Sequence, residues 1–180
     1  MKPYIEIIDK YYPAGSRLRD IYMRHCRQVS DLALEIASAK GLDLDAGEVE
    51  AAAMLHDIGI YATDAPSIEC HGTEPYICHG LIGGKLLRDE GMPESIARVA
   101  ERHTGSGITI ADIDAQHLPL PRRDYLPETT LERLICYADK FYSKSGAMRR
   151  KDFDSVRASM ARHSEESALR FDALHRQFGV

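Results

Sequence analysis

Apolar positions recur along the chain at steps of three and four, with little of the two-residue alternation of half-buried strands. The pattern predicts helices almost throughout. A short helix is expected over about 3–12, ended by Pro13-Ala14-Gly15, and a long one over about 18–40, stopped by Gly41. Further helices are expected over about 46–58, 79–90, 93–104, 129–145 and 152–178. Residues 61–78 contain Pro66, Gly72 and Pro75 and read as a loop; residues 105–128 carry three Gly or Pro clusters and read as an ordered excursion. The fold class is all-α, a single compact domain over 1–180 with about six to eight helices. On the last helix, Phe153, Val156, Met160, Ser167, Phe171, Leu174 and Phe178 share one stripe. The stripe reads as core packing, with a homodimer seam as the alternative.

Polar groups interrupt these apolar faces at five places. His25 stands with Val29, Leu32 and Ile36, and His56 with Val49, Ala52, Ala53 and Ile60. His79 leads Ile82 and Leu86, and His103 ends the stripe of Ile96, Val99 and Ala100. Asp139 falls between Ile135 and Tyr142, beside Leu131, Leu134 and Ala138. One such histidine is usually a hydrogen-bonded core residue. Five inward polar groups on separate helices are different, because each would cost roughly 2–7 kcal/mol if buried unpaired. Convergence on a cation removes that cost. With Asp57 the set offers four imidazoles and two carboxylates. That exceeds one tetrahedral zinc and suits two metals sharing a carboxylate.

Composition narrows the chemistry. The chain has 180 residues, 44% of them hydrophobic and 28% charged, as expected of a globular protein. Its formal charge of -5 argues against a nucleic-acid footprint. No apolar run approaches the ~18 residues of a membrane span, and Met1-Lys2-Pro3-Tyr4-Ile5-Glu6 has no signal-peptide core. Cys26, Cys70, Cys78 and Cys136 form no C-x-x-C pair and read as free thiols, which fits a cytoplasmic location. Of the eight histidines, His117, His163 and His175 have no ligand-like setting and read as ordinary.

His25, then Leu55-His56-Asp57-Ile58-Gly59, then Asp139 within Tyr137-Ala138-Asp139-Lys140 resembles the H…HD…D signature of the HD superfamily of metal-dependent phosphohydrolases. The His-Asp-Ile-Gly form is similar to its HDIG subgroup, and the resemblance covers about 20–145. His79 and His103 resemble the two extra histidines of binuclear members. No Gly-Tyr-Pro signature accompanies them, which disfavours a cyclic-dinucleotide phosphodiesterase of the HD-GYP type. The resemblance implies that His25, His56, Asp57 and Asp139 hold a first metal. Asp57 would bridge to a second, completed by His79 and His103. His56 and Asp57 are the implied catalytic pair. The mixed N/O donors suit Fe, Mn, Zn, Co or Ni alike. The implied reaction is hydrolysis of a phosphate ester or anhydride, in a small substrate of the nucleotide class, by a metal-activated water.

Basic residues near these motifs are candidates for holding phosphate. They are Arg24 beside His25, His71 in the loop, Lys85 one turn past His79, the proline-flanked Arg122 and Arg123, and Lys140 and Lys144 after the last Asp. For each, a solvated surface position is the alternative. Two other functions use the same ligand set: an HD-type di-iron oxygenase, and a catalytically silent metal-binding sensory module. Oxygen consumption without phosphate release marks the first. Absence of metal and of hydrolysis marks the second.

Overall fold

Ser16, Asp45, Thr109, Thr129, Asp152 and Ser164 each accept a hydrogen bond from a backbone N–H three residues on, which starts a helix. At Thr109 and Thr129 the bond is reciprocated by Asp112 and Glu132, forming capping boxes. The computed structural model describes residues 3–179, so Met1 and Lys2 of the N-terminal stretch and Val180 lie outside the described residues.

The fold is all-α. Nine α-helices occur among the described residues: α1 (Tyr4–Tyr11), α2 (Arg17–Ala39), α3 (Ala46–Leu55), α4 (His79–Asp89), α5 (Glu94–Arg102), α6 (Ile110–Gln116), α7 (Thr130–Asp139), α8 (Phe153–Ala161) and α9 (Glu165–Phe178). The expected loop at 61–78 contains short 3-10 turns and a small antiparallel hairpin. In it β1 (Asp64–Ala65) pairs with β2 (Cys70–His71), Asp64 opposite His71 and Ala65 opposite Cys70.

Three expected helices are shorter than their apolar stripes. The one expected over 46–58 ends at Leu55, and Ile60 of its stripe falls in a 3-10 turn over Ile58–Ala62. The helix expected to reach 145 ends at Asp139, where Lys140 N–H turns back to the Tyr137 carbonyl at 3.2 Å. The helix expected over 152–178 breaks at 162–164, where Ser164 caps α9. Arg157 on α8 then reaches Glu165 and Asp172 on α9 at 2.9 and 3.0 Å. The two pieces fold against each other, and Val156, Met160, Phe171, Leu174 and Phe178 are buried within the chain. The excursion at 105–128 contains α6.

α2 packs on α3 and α7, and α5 packs on α4, α3 and α7. One apolar core runs through these contacts from Ile7 to Phe178, and a small satellite lies at Ile108, Ile113 and Tyr125. Two tyrosines anchor the chain around residue 57. Tyr22 O–H donates to the Met54 carbonyl at 2.6 Å, and Tyr12 O–H to the Ile58 carbonyl at 2.9 Å. Their rings stack at 4.1 Å. The turn after Asp57 packs directly on α4, and Gly59 makes this possible. A Cβ there would lie 2.2 Å from the His79 carbonyl oxygen.

Candidate metal centre

His25 lies in the middle of α2. The other five predicted residues sit at helix ends: His56 caps α3, Asp57 follows it, His79 opens α4, His103 caps α5 and Asp139 closes α7. Helix C-termini leave carbonyls without a helical partner, and His56 and His103 use them, whereas His79 uses the Tyr76 carbonyl of the 3-10 turn before α4. Nδ1 lies 2.6 Å from the Ala53 carbonyl in His56, 2.6 Å from Tyr76 in His79 and 2.8 Å from Ala100 in His103. A carbonyl only accepts, so each Nδ1 carries the proton. In the neutral form of each ring Nε2 therefore presents a lone pair, and all of these point to one centre.

There the six side chains converge, all buried. His25 Nε2 is 3.2 Å from His56 Nε2, 3.1 Å from Asp57 Oδ2 and 3.0 Å from Asp139 Oδ1. His56 Nε2 is 3.1 Å from Asp57 Oδ2. On the other side, Asp57 Oδ1 is 3.5 Å from His79 Nε2 and 3.3 Å from His103 Nε2, which are 3.1 Å apart. The donors thus fall into two groups that could each hold an ion: His25, His56, Asp57 and Asp139; and Asp57, His79 and His103. Asp57 belongs to both.

This donor set fits divalent metals. Two imidazole lone pairs facing each other at 3.1 Å repel unless a cation lies between them. Neither Asp57 oxygen accepts a well-aligned hydrogen bond, although both are buried. Electrostatics point the same way. Burial pushes His79 down to about 3 and also lowers His103, so both rings are neutral ligands at pH 7. At His56 burial opposes the charged form, but Asp57 and Asp139 outweigh it and hold the pKa well above the ordinary value. At Asp57 and Asp139 burial is likewise outweighed, by Lys144 and Lys140 first and then by the histidines, and both stay well below the carboxylate range. The centre attracts positive charge and keeps its carboxylates ionised.

The basic candidates divide. Lys144 Nζ lies 2.6 Å from Asp57 Oδ2, and Lys140 Nζ 2.6 Å from Asp139 Oδ2. Both line a cavity of about 400 Å³ that reaches Asp139. The others are elsewhere. Lys85 pairs with Asp89 and Arg122 with Asp114, all exposed. Arg123 reaches the buried Glu101 at 2.6 Å and stacks on Tyr125. His71 is exposed on β2, 3.7 Å from Glu69, and Arg24 is exposed on α2. None of these five lines the cavity.

Sequence reasoning missed five residues of the cavity wall: Lys151, Tyr76, Ser67, Ser143 and Ser145. Tyr76 stacks on His79 at 4.7 Å, and the Lys144 ammonium lies 5.9 Å from its ring centre. The legible signal was Ser143-Lys144-Ser145-Gly146, a polar run directly after the last Asp.

The chain matches the HD domain family over residues 22–143. It belongs to the HD domain family. All six converging residues of this HD domain lie within that match. An uncharacterized protein of Methanocaldococcus jannaschii is 41% identical over 120 residues, covering 65% of this chain and 63% of that one. A tRNA (cytidine(56)-2'-O)-methyltransferase of Picrophilus torridus is 32% identical, covering 88% of this chain and 41% of that one. The protein of the same name from Thermoplasma volcanium is 31% identical, covering 94% and 44%. The chain thus spans less than two thirds of the length of these relatives, and neither methyltransferase name describes phosphate hydrolysis. No solved structure matches.

Proposed function

We propose that this HD domain is a metal-dependent phosphohydrolase acting on a small phosphorylated substrate of the nucleotide class. The observation that carries the reading is the placement of Lys140 and Lys144. Each ammonium lies against an acidic residue of the metal-type cluster, and both lysines line the adjoining cavity.

His25, His56, Asp57 and Asp139 would hold one ion, and Asp57, His79 and His103 the second. Bound there, divalent metals supply Lewis-acid polarisation of a phosphoryl oxygen and a water acidic enough to attack near neutral pH. The protein's own residues do the rest. The backbone carbonyls of Ala53, Tyr76 and Ala100 fix which imidazole nitrogen faces the centre. Lys140 and Lys144 place fixed positive charge where phosphoryl oxygens would lie, at the junction of the cluster and the cavity. Tyr76 covers His79 and narrows the approach. The methyl transfer and tRNA in the two relatives' names belong to chains of which the matched region is less than half, and neither is carried over.

The test is phosphate release from mono-, di- and triphosphorylated nucleosides and dinucleotides, by protein stripped of metal and then reloaded with Mn, Fe, Co, Ni or Zn. Release that requires metal supports the reading. Metal-loaded protein that consumes oxygen and releases no phosphate from any substrate overturns it in favour of redox chemistry.

A further inference from the structure

The cavity beside the centre is more basic than one phosphoryl group requires. Three lysines line it: Lys140, Lys144 and Lys151. The first two already face carboxylates. Among the described residues Lys151 makes no ion pair, and its neighbours include two like charges. Lys151 is exposed overall; its partial burial lowers its pKa, Asp139 opposes this, and Lys140 and Lys144 add to the lowering.

Lys151 is also held in place. Its backbone N–H donates to the Phe141 carbonyl at 2.9 Å, closing the segment that follows α7. Within that segment Met148 is buried, and its carbonyl accepts from Gln28 Nε2 on α2 at 2.8 Å. Lys151 therefore enters the cavity wall from a fixed backbone, beside Val156 and Ser159 of α8.

Building on the phosphohydrolase reading, we propose that Lys151 anchors a second anion subsite, and that the substrate carries at least two phosphoryl groups, as a nucleoside di- or triphosphate does. A phosphate monoester is served by the centre with Lys140 and Lys144. An unpaired third ammonium in the same cavity matches the additional charge of a second phosphoryl group. The volume of about 400 Å³ accommodates more than one such group. In the reaction, water oxygen bonds to the phosphorus at the centre and the bridging P–O bond breaks. The leaving phosphate takes the electron pair, and the water's protons pass to it and to solvent.

The test is calorimetric titration of the metal-loaded full chain with two non-hydrolysable probes, methylenediphosphonate and methylphosphonate. Lys151→Ser is expected to weaken the diphosphonate about tenfold, as loss of one charge-assisted contact should. It is expected to leave the monophosphonate within about twofold, and Lys151→Arg is expected to restore most of the loss. Equal weakening of both probes, or no change for the diphosphonate, overturns the subsite. Phosphate release from p-nitrophenyl phosphate by the same samples tests the underlying reading separately. Hydrolysis without any Lys151 dependence of diphosphonate binding defeats the subsite alone. Lys151-dependent binding with no hydrolysis of this or any nucleotide probe defeats the substrate claim together with the phosphohydrolase reading.

Discussion

The ammonium of Lys144 lies 2.6 Å from Oδ2 of Asp57, on the side of that carboxylate also faced by His25 and His56. Asp57 drives the Lys144 pKa well above its ordinary value despite burial, so the charge is permanent at working pH. A fixed cation therefore stands where the cavity meets the cluster. Lys144→Ala is expected to raise KM for a phosphorylated substrate roughly tenfold or more. Arg122→Ala, which removes an exposed partner of Asp114 away from the cavity, is expected to leave KM unchanged. Steady-state kinetics on both variants checks this, and the reverse order would move the substrate site.

His103→Ala should remove one ion and spare the other. His103 and His79 meet only Asp57 among the carboxylates of the centre, on its Oδ1 side. Elemental analysis is expected to fall by about one equivalent per chain, whereas His25→Ala depletes the other group. Loss of both ions from each variant would mean that the two groups do not bind independently.

Gly59→Ala tests the packing that brings α4 to the centre. The added methyl would meet the His79 carbonyl oxygen at 2.2 Å and the Gly83 nitrogen at 2.6 Å, both backbone atoms that cannot swing away. Overpacking of this kind costs about 1–3 kcal/mol. In a chain of this size that lowers the melting temperature by roughly 2–12 °C. His79 would move with its helix, so metal content should fall as well. A variant with unchanged melting temperature and full metal content would contradict the close approach.

Acid sensitivity should trace partly to Glu132. This carboxylate is buried and sits 2.7 Å from Arg98 Nε. Burial pushes its pKa up, but Arg98 and the backbone N–H groups of Glu128 and Thr129 outweigh that and lower it from 4.5. A carboxyl whose pKa is lower folded than unfolded adds stability that is complete above the unfolded value. That stability drains as pH falls from there through the folded value. Glu132→Gln is therefore expected to be less stable at pH 7, by on the order of 1–3 kcal/mol. Its loss of stability between pH 5 and 3 should be shallower than in the unaltered chain. Melting curves across that range check it, and parallel acid slopes would contradict it.

The helical class and five of the six converging residues were legible because burial leaves a periodic trace; Asp57 was legible only as the neighbour of His56 in the His-Asp-Ile-Gly motif. His25 interrupts an apolar stripe, and the structure buries it on that face. The helix ends were less legible. Tyr142 continues the α7 stripe in register, yet the chain turns at Lys140, and the turn is what carries Lys144 back to Asp57. The stripe from Phe153 to Phe178 hid the break before Ser164 for the same reason: periodicity records which side is buried and is blind to a fold-back that keeps the same side inward. The proline-flanked Arg122 and Arg123 showed stiffness without direction. Their carboxylate partners, Asp114 and Glu101, are close only once α5 and α6 are folded. Lys151 left no sequence signal, since its place depends on one backbone bond to Phe141.

Metal stoichiometry of the purified full chain decides whether Asp57 joins two ion sites. Asp57 divides its two oxygens between the two groups of donors, so two divalent ions per chain are expected, both lost in Asp57→Ala. A chain that holds one ion or none after reloading, or an Asp57→Ala variant that keeps two, would contradict this.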